Sequence, residues 1–414
     1  MPSTAHTRGV FRPKQVRDAN SAVVLRLLRR FDRMSRAEIA RKSGLSEGTV
    51  SRIVAGLLEL PAVSEVGAEN STGGRPATRL QLSDFPVAIG VEIQNWETRF
   101  AVTTTRGKII ENDVARTPSS PADALSLIAE RVGQYQRSYQ QSRVQGVGIA
   151  ARGIINNQTG VVELGNDDGW VKVPLRASLE PLLKLPVYVD NDARAAAIAE
   201  YNYTSAGEHA PHCLLYVRVD EGVGVGIVLN GEVYSGPSMS AGEFGQMVIA
   251  DDEGPARQDR PGSLERLVSN QAICGRYGLL KDRRVSTACD GGARVRRICQ
   301  DALNGDADAR QAVQRTSRFL GLGIVNIAWG LDPEAIVLNT SLNMAWPILL
   351  DEIRAQFPPP GASPTFRNLI IQPSAFGEQS TLIGAATLAF GPLFDSAAFR
   401  FRARTAPRKA VASV

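Results

Sequence analysis

Two stretches of this chain repeat the same order of elements. From Pro86 the apolar run VAIGVEIQ is followed by FAVTTT and by the segment around KIIENDVAR, with a turn at 106–107. A helical pattern over about 121–138 and the strand VQGVGIA come next. LPVYVDNDARAAAIAEY then gives a strand running into a helix. A second round begins at CLLYVRVDEGVGVGIVLNGEVYSG, again three strands joined by glycine-rich turns. Helical patterns near 263–277 and 306–329 follow, with the strands AIVLNT and LIIQPSA, and STLIGAATLAF closes the body as a helix. Strands covered on both faces read as near-continuous apolar runs, as these do. Two such units in series predict an α/β body of two lobes with a cleft between them. Ligands of folds of this kind sit in the cleft, at the C-terminal ends of the strands.

Length and charge divide the chain further. At 414 residues it exceeds one ordinary domain, and 43% hydrophobic residues are enough for more than one core. No run of eighteen apolar residues occurs, so no membrane insertion is expected. The first twenty residues lack the apolar segment of a signal peptide. The four cysteines, Cys213, Cys274, Cys289 and Cys299, form no CxxC pair, which fits a reduced, cytoplasmic protein. Residues 1–82 carry 14 Lys/Arg against 7 Asp/Glu; residues 395–414 carry 5 against 1, and the segment between them has a net charge of −6. A basic head on an acidic body points to nucleic acid as the partner of the head alone.

The head has the spacing of a helix-turn-helix. In RAEIARKSGLSEGTVSRI (36–53), Ala40 is small enough for two helices to approach. Gly44 suits a turn that needs positive φ, and Ser46 is placed to cap the second helix. Val50 and Ile53 share its inner face. Ser46, Glu47, Thr49, Ser51 and Arg52 are left to face a major groove. Arg52 is the residue best suited to guanine and Thr49 to a thymine methyl, while Arg41 and Lys42 suit phosphates. Asn20 or Ser21 is expected to cap an earlier helix bearing Val23, Val24, Leu27, Leu28 and Phe31, and Ser35 to cap the helix through Lys42. Strands near 63–67 and 78–82, joined by AENSTGGRPA, have the form of a wing. It would carry Arg75 toward a minor groove. Residues 1–20 are expected to be a mobile basic arm, 21–82 the winged helix-turn-helix domain, 86–394 the body and 395–414 a disordered basic tail. Within the body, lobe I would span about 86–192 plus 375–394, and lobe II about 193–374.

The segments GVGIAARGIIN, YVDNDARAAAIAE, GVGVGIVLNGEVYSG, AGEFGQM, SLE and LDPEAIVL carry a resemblance to a known family. On them the chain resembles the ROK family (repressors, open reading frames and kinases) from about residue 21 to about residue 390. The resemblance implies an actin-like, sugar-kinase or RNase H-like body. The head is similar to the winged helix of the family's transcriptional repressors, which its sugar kinases lack.

Three departures from the family's kinases concern ATP. Their first phosphate loop resembles Asp-x-Gly-Gly-Thr, where this chain has Glu92-Ile93-Gln94-Asn95-Trp96. Their second carries Gly-Thr-Gly, matched here to Gly222-Val223-Gly224. Their third nucleotide contact is Gly-Gly, against Asn339-Thr340 here. The sugar side is retained. The resemblance places Asp192 at the position of the kinases' general base, and Glu243 and Glu265 at sugar contacts. It sets Gly153, Asn166 and Asn191 beside the ligand. Carboxylates suit neighbouring hydroxyls because each can accept two donors. A structural role stays open for Asp192 as a helix cap and for Glu265 as a first-turn acid favoured by the helix dipole. Many family members hold zinc between the two glutamates through one His and three Cys. Here Gln246 takes the place of the His, Ser263 that of the last Cys, and no Cys or His lies between them. No metal site is therefore expected, at that loop or at His209-Ala-Pro-His212-Cys213, and no cofactor. Gln246 is left as a polar contact for a sugar. Arg257, Asp259 and Arg260 are the candidates for holding the loop in the metal's stead.

Together these features predict a repressor-type regulator without enzymatic activity, which binds double-stranded operator DNA as a homodimer or homotetramer under control of a sugar or sugar derivative. An active sugar kinase with a DNA-binding head is the alternative, as is a regulator answering to a protein partner.

Overall fold

The computed structural model describes residues 13–68, 78–139, 143–165, 169–204, 210–250, 261–281, 291–359 and 361–394. The head comprises α1 (Pro13–Phe31), β1 (Met34–Ser35), α2 (Arg36–Ser43), α3 (Glu47–Glu59), β2 (Val63–Ala68) and β3 (Thr78–Leu82). Helix α1 begins seven to eight residues before the expected cap, inside the stretch read as a mobile arm. Ser21 therefore does not cap; its hydroxyl donates to the Arg17 carbonyl within the helix. The other two caps form as the sequence predicts. Ser35 and Glu38 make a reciprocal capping box at α2, and Ser46 Oγ accepts from the Thr49 amide at α3. Gly44 closes α2 at φ 71°, a conformation that a side chain would strain. The two-residue β1 pairs with β3 and was not foreseen.

Lobe I opens with β4 (Val87–Ile93), β5 (Glu97–Thr104), β6 (Ile109–Arg116), α4 (Pro121–Ser138) and β7 (Val144–Ala151). The short strands β8 (Ile154–Asn156), β9 (Val161–Leu164) and β10 (Val171–Val173) form a small separate sheet. Helix α5 (Leu175–Leu183) and β11 (Val187–Asn191) complete the unit, whose main sheet runs β11-β7-β4-β5-β6. Helix α6 (Asp192–Thr204) leads into lobe II. There β12 (Cys213–Val219), β13 (Val223–Leu229) and β14 (Glu232–Val233) precede four helices: α7 (Leu264–Val268), α8 (Asn270–Leu280), α9 (Gly291–Leu303) and α10 (Ala307–Leu331). Strand β15 (Ala335–Thr340), α11 (Trp346–Arg354), β16 (Ile370–Pro373) and α12 (Ser380–Phe394) end the described chain. The second sheet runs β14-β13-β12-β15-β16, the same order as the first. The doubled pattern in the sequence is thus a doubled sheet topology, with antiparallel hairpins on one side and parallel strands on the other.

Helices α6 and α12 pack together between the sheets. Their approach depends on Gly384, where a Cβ would stand 1.8 Å from the Ala195 carbonyl oxygen. The far end of α12 is shared with the head. Phe390, Leu393 and Phe394 lie in one buried cluster with Val24, Leu25 and Leu28 of α1 and with Ile39, Val50 and Ile53 of the helix-turn-helix. The Arg29 guanidinium sits 4.0 Å from the centre of the Phe394 ring, and Arg106 of the body pairs with Asp32 at 2.9 Å. No helix among the described residues is long and apolar enough to cross a membrane.

Candidate functional site

The helix-turn-helix buries Val50, Ile53, Val54 and Leu57 of α3 and leaves the opposite face open. Glu47, Ser51 and Arg52 are exposed there, and Thr49 is half-buried. The Ser46 and Thr49 hydroxyls lie 2.9 Å apart, so part of their hydrogen-bonding capacity is spent at the cap. Arg52 Nε donates to the Gly48 carbonyl at 3.4 Å, which leans the side chain toward the N-terminal end of the helix. Arg41 is exposed at the end of α2. Lys42 Nζ stands 4.4 Å from the Phe31 ring, a cation–π contact that holds the ammonium against the head. Glu38 is held below the usual carboxylate range, mainly by the Ser35 amide, against a smaller opposing effect of burial. Arg75, on the expected wing tip, lies outside the described residues.

The second site lies where the two sheets face each other. Parallel pairing sets Ile93 at the end of β4, Ala151 at the end of β7 and Asn191 at the end of β11 side by side. Asn191 is fully engaged: its amide donates to the Gly153 carbonyl, and its Oδ1 accepts from the amides of Ala193 and Arg194. It builds the cleft by capping α6. Asp192, the next residue, turns its Oδ2 toward lobe II. It meets Arg218 Nη1 of lobe II at 3.3 Å and Arg152 Nε of lobe I at 3.9 Å.

Those two arginines join the lobes. Arg218, next to the end of β12 and paired with Gly224 of β13 beside the hairpin turn, binds Glu92 at 3.1 Å, Asp220 at 2.8 Å and the Thr381 hydroxyl at 2.8 Å. Arg152 reaches Asp220 at 2.7 Å. Burial alone would push the Asp220 carboxyl up, but Arg218, Arg152 and the Gly222 amide together outweigh it and hold the group at about 2. The Gln94 amide donates to Glu92 at 2.8 Å and completes the cluster on the lobe I side. None of Glu92, Arg152, Arg218 and Asp220 was read from the sequence as part of a network. An arginine inside the apolar strand CLLYVRV was the visible sign, since a charge there requires buried partners.

Glu243 and Glu265 stand close to Asp192. Partial burial of the Glu243 carboxyl at the cleft mouth, then the charges of Asp192 and Glu265, push its pKa up despite contact with solvent. Glu265 Oε2 accepts from the Val223 amide at 2.9 Å, which places this carboxylate against the β12–β13 hairpin. Gln246 is exposed beside them, and Asn166 lies outside the described residues. The structure therefore brings Gly153, Asn191, Asp192, Glu243 and Glu265 to one cleft.

At the first nucleotide position Glu92 is buried and paired with Arg218. Of the residues matched to the second phosphate loop, Val223 and Gly224 pair with Val219 and Arg218 in the sheet, and the hairpin turn itself is Asp220-Glu221-Gly222. Two carboxylates thus occupy the turn. Asn339 donates to the Tyr216 hydroxyl and to the Gly377 carbonyl, and Thr340 Oγ1 accepts from the Leu342 amide. Phosphates meeting Glu92, Asp220 and Glu221 would face like charge. These residues do not fit ATP. Nor does the loop after Gln246 fit zinc, since Ser263 is buried where a thiolate would be needed. The neck of that loop is closed by backbone bonds instead: Ile249 to Gly262 at 3.0 Å and Leu264 to Met247 at 2.8 Å. Arg257, Asp259 and Arg260 lie outside the described residues.

The ROK family profile matches residues 88–391, nearly the whole body. The chain belongs to the ROK family. An IclR helix-turn-helix domain profile matches residues 19–66, across the three helices of the head. The chain is 25% identical over 389 residues to the xylose repressor of Bacillus subtilis, which spans 92% of this chain and 97% of that protein. It is 31% identical over 284 residues to a glucokinase of Halalkalibacterium halodurans, covering 65% of this chain and 84% of the kinase. Among solved structures, a ROK family transcriptional regulator described as a homologue of the Escherichia coli Mlc protein superposes with a TM-score of 0.74. The two chains are 23% identical, with 92% of this chain and 98% of that one covered. The ROK body with a helix-turn-helix in front sets this chain apart from a free-standing ROK kinase.

Proposed function

We propose that this protein is a ROK transcriptional regulator, of the repressor type, whose head binds operator DNA and whose cleft binds a sugar or sugar derivative. The observation that carries the reading is the Arg218 cluster. One guanidinium ties Glu92 and Asp192 together on ground that a kinase keeps open for phosphates. With its base position salt-bridged and no phosphate-binding turns, the cleft is left to bind and not to transfer. Asp192, Glu243, Glu265 and Gln246 offer acceptors for hydroxyls, with Gly153 and Asn166 beside them. Arg41, Lys42, Ser46, Glu47, Thr49, Ser51, Arg52 and Arg75 form the DNA-contacting set. The protein works as a homodimer or homotetramer in the cytoplasm, so that two heads meet half-sites one or more helical turns apart.

Helix α12 supplies the link between the sites. It packs against α6 at Gly384 and enters the core of the head through Phe390, Leu393 and Phe394. A ligand that favours one arrangement of the lobes thereby favours one placement of the heads, and its effect on DNA affinity cannot exceed its differential affinity for the two states. A coupled assay with ATP across common pentoses and hexoses tests the reading. No turnover is expected; turnover that disappears in Asp192→Asn would establish a kinase instead.

A further inference from the structure

Beside the sugar cleft, lobe I contains a second cavity of about 650 Å³, inside the roughly 300–1,000 Å³ range of small-molecule sites. Ile93 and Ala151 form part of its wall, at the paired ends of β4 and β7, and Trp96, Trp170, Arg116 and Arg152 line it further. Trp96 is 79% exposed at the tip of the β4–β5 turn, where an indole has no packing role. Arg116 is exposed and has no ion-pair partner among the described residues. The cavity adjoins the cleft at Ala151 and Arg152. Ala151 is flanked in the sheet by Ile93 on the cavity side and by Asn191 on the Asp192 side. Arg152 lines the cavity and also reaches Asp192 and Asp220. From β4 to β11 is two strand spacings, roughly 10 Å, about the reach of two linked sugar rings.

We propose that this cavity is a subsite for a second sugar ring, so that the effector is a disaccharide or comparable glycoside. The proposal rests on the reading of the neighbouring cleft as a sugar site. An exposed indole offers a flat apolar surface to the C–H face of a pyranose, while its rim stays polar. The Arg116 guanidinium contributes donors to ring hydroxyls without needing a charged ligand. Bulky residues at 94–96, which spoil this turn for phosphate, are thus what a second ring would contact.

The test is calorimetry on the full-length protein with xylose, glucose, xylobiose, cellobiose and maltose. At least one disaccharide should bind ten-fold or more tightly than its own monosaccharide. Trp96→Ala should remove that gain and leave operator binding by the head intact, which shows that the variant is folded. Equal affinity for every disaccharide and its monosaccharide would overturn the subsite while upholding the sugar cleft. So would a disaccharide advantage that Trp96→Ala leaves unchanged. If none of the five sugars binds, both the subsite and the sugar cleft fall.

Discussion

Arg218 of lobe II places its Nη1 3.3 Å from the Asp192 carboxylate at the start of α6. The same nitrogen binds Glu92 at 3.1 Å, and both partners are largely shielded from solvent. Arg218→Met would leave Glu92, Asp192 and Asp220 facing one another with only Arg152 to compensate. Loss of one member of such a buried set costs about 3–5 kcal/mol. Denaturant unfolding of the body should register a loss of that order, with Arg218→Lys in between because a lysine cannot reproduce the forked contacts.

Asp220 and Glu243 predict opposite pH responses. Asp220 is held at about 2 from an ordinary value of 3.8, so its stabilising contribution is present above 3.8 and disappears as pH falls toward 2. Glu243 is raised from 4.5 by burial and by Asp192 and Glu265, with Arg194 opposing. Its contribution to stability is present below 4.5 and is lost as pH rises through the raised value. Sugar binding that uses the ionised carboxylate runs the other way and strengthens over that same rise. Calorimetry between pH 4.5 and 8 should show this dependence in the native protein and a flat profile for Glu243→Gln.

On α3, Arg52 points from an exposed face whose opposite side is locked in the head core. Arg52→Ala should abolish operator-specific binding in a gel-shift assay and leave the melting temperature of the body unchanged. Ser46→Ala acts differently: it removes the cap on the Thr49 amide and should cost about 1 kcal/mol of head stability.

Gly384 sets the spacing of α6 and α12. A methyl group there would meet the Ala195 carbonyl oxygen at 1.8 Å, and backbone on both sides leaves little room to yield. Gly384→Ala should destabilise the protein by about 1–3 kcal/mol or more, read as a drop in thermal midpoint.

The head was legible because its signals are local. Caps at Ser35 and Ser46 and the turn at Gly44 lie within a few residues of what they fix. The main strands were legible as apolar runs, and their doubled order gave the lobes. Shorter or weaker elements were not: β1 and β8–β10 are two to four residues long, and α5, α9 and α11 went unread. In α9 the buried stripe of Val295, Ile298, Cys299 and Ala302 is interrupted by three arginines on the outer face. The Arg218 side chain inside an apolar strand signalled buried partners, but which residues they are could not be read, for another reason. Glu92 and Arg218 lie 126 residues apart, and no periodicity records a contact made only when two lobes face each other. The same holds for the placement of Phe394 against Arg29, which depends on how α12 meets the head.

The cleft is proposed to govern the head through α12. The most direct test of this coupling is the affinity of the full-length protein for an operator selected from random DNA, titrated with and without a sugar that calorimetry shows to bind. A change of at least ten-fold, about 1.4 kcal/mol, is predicted, with operator DNA shifting the sugar's affinity by the same factor. A sugar that saturates the cleft and leaves operator affinity unchanged would contradict the account.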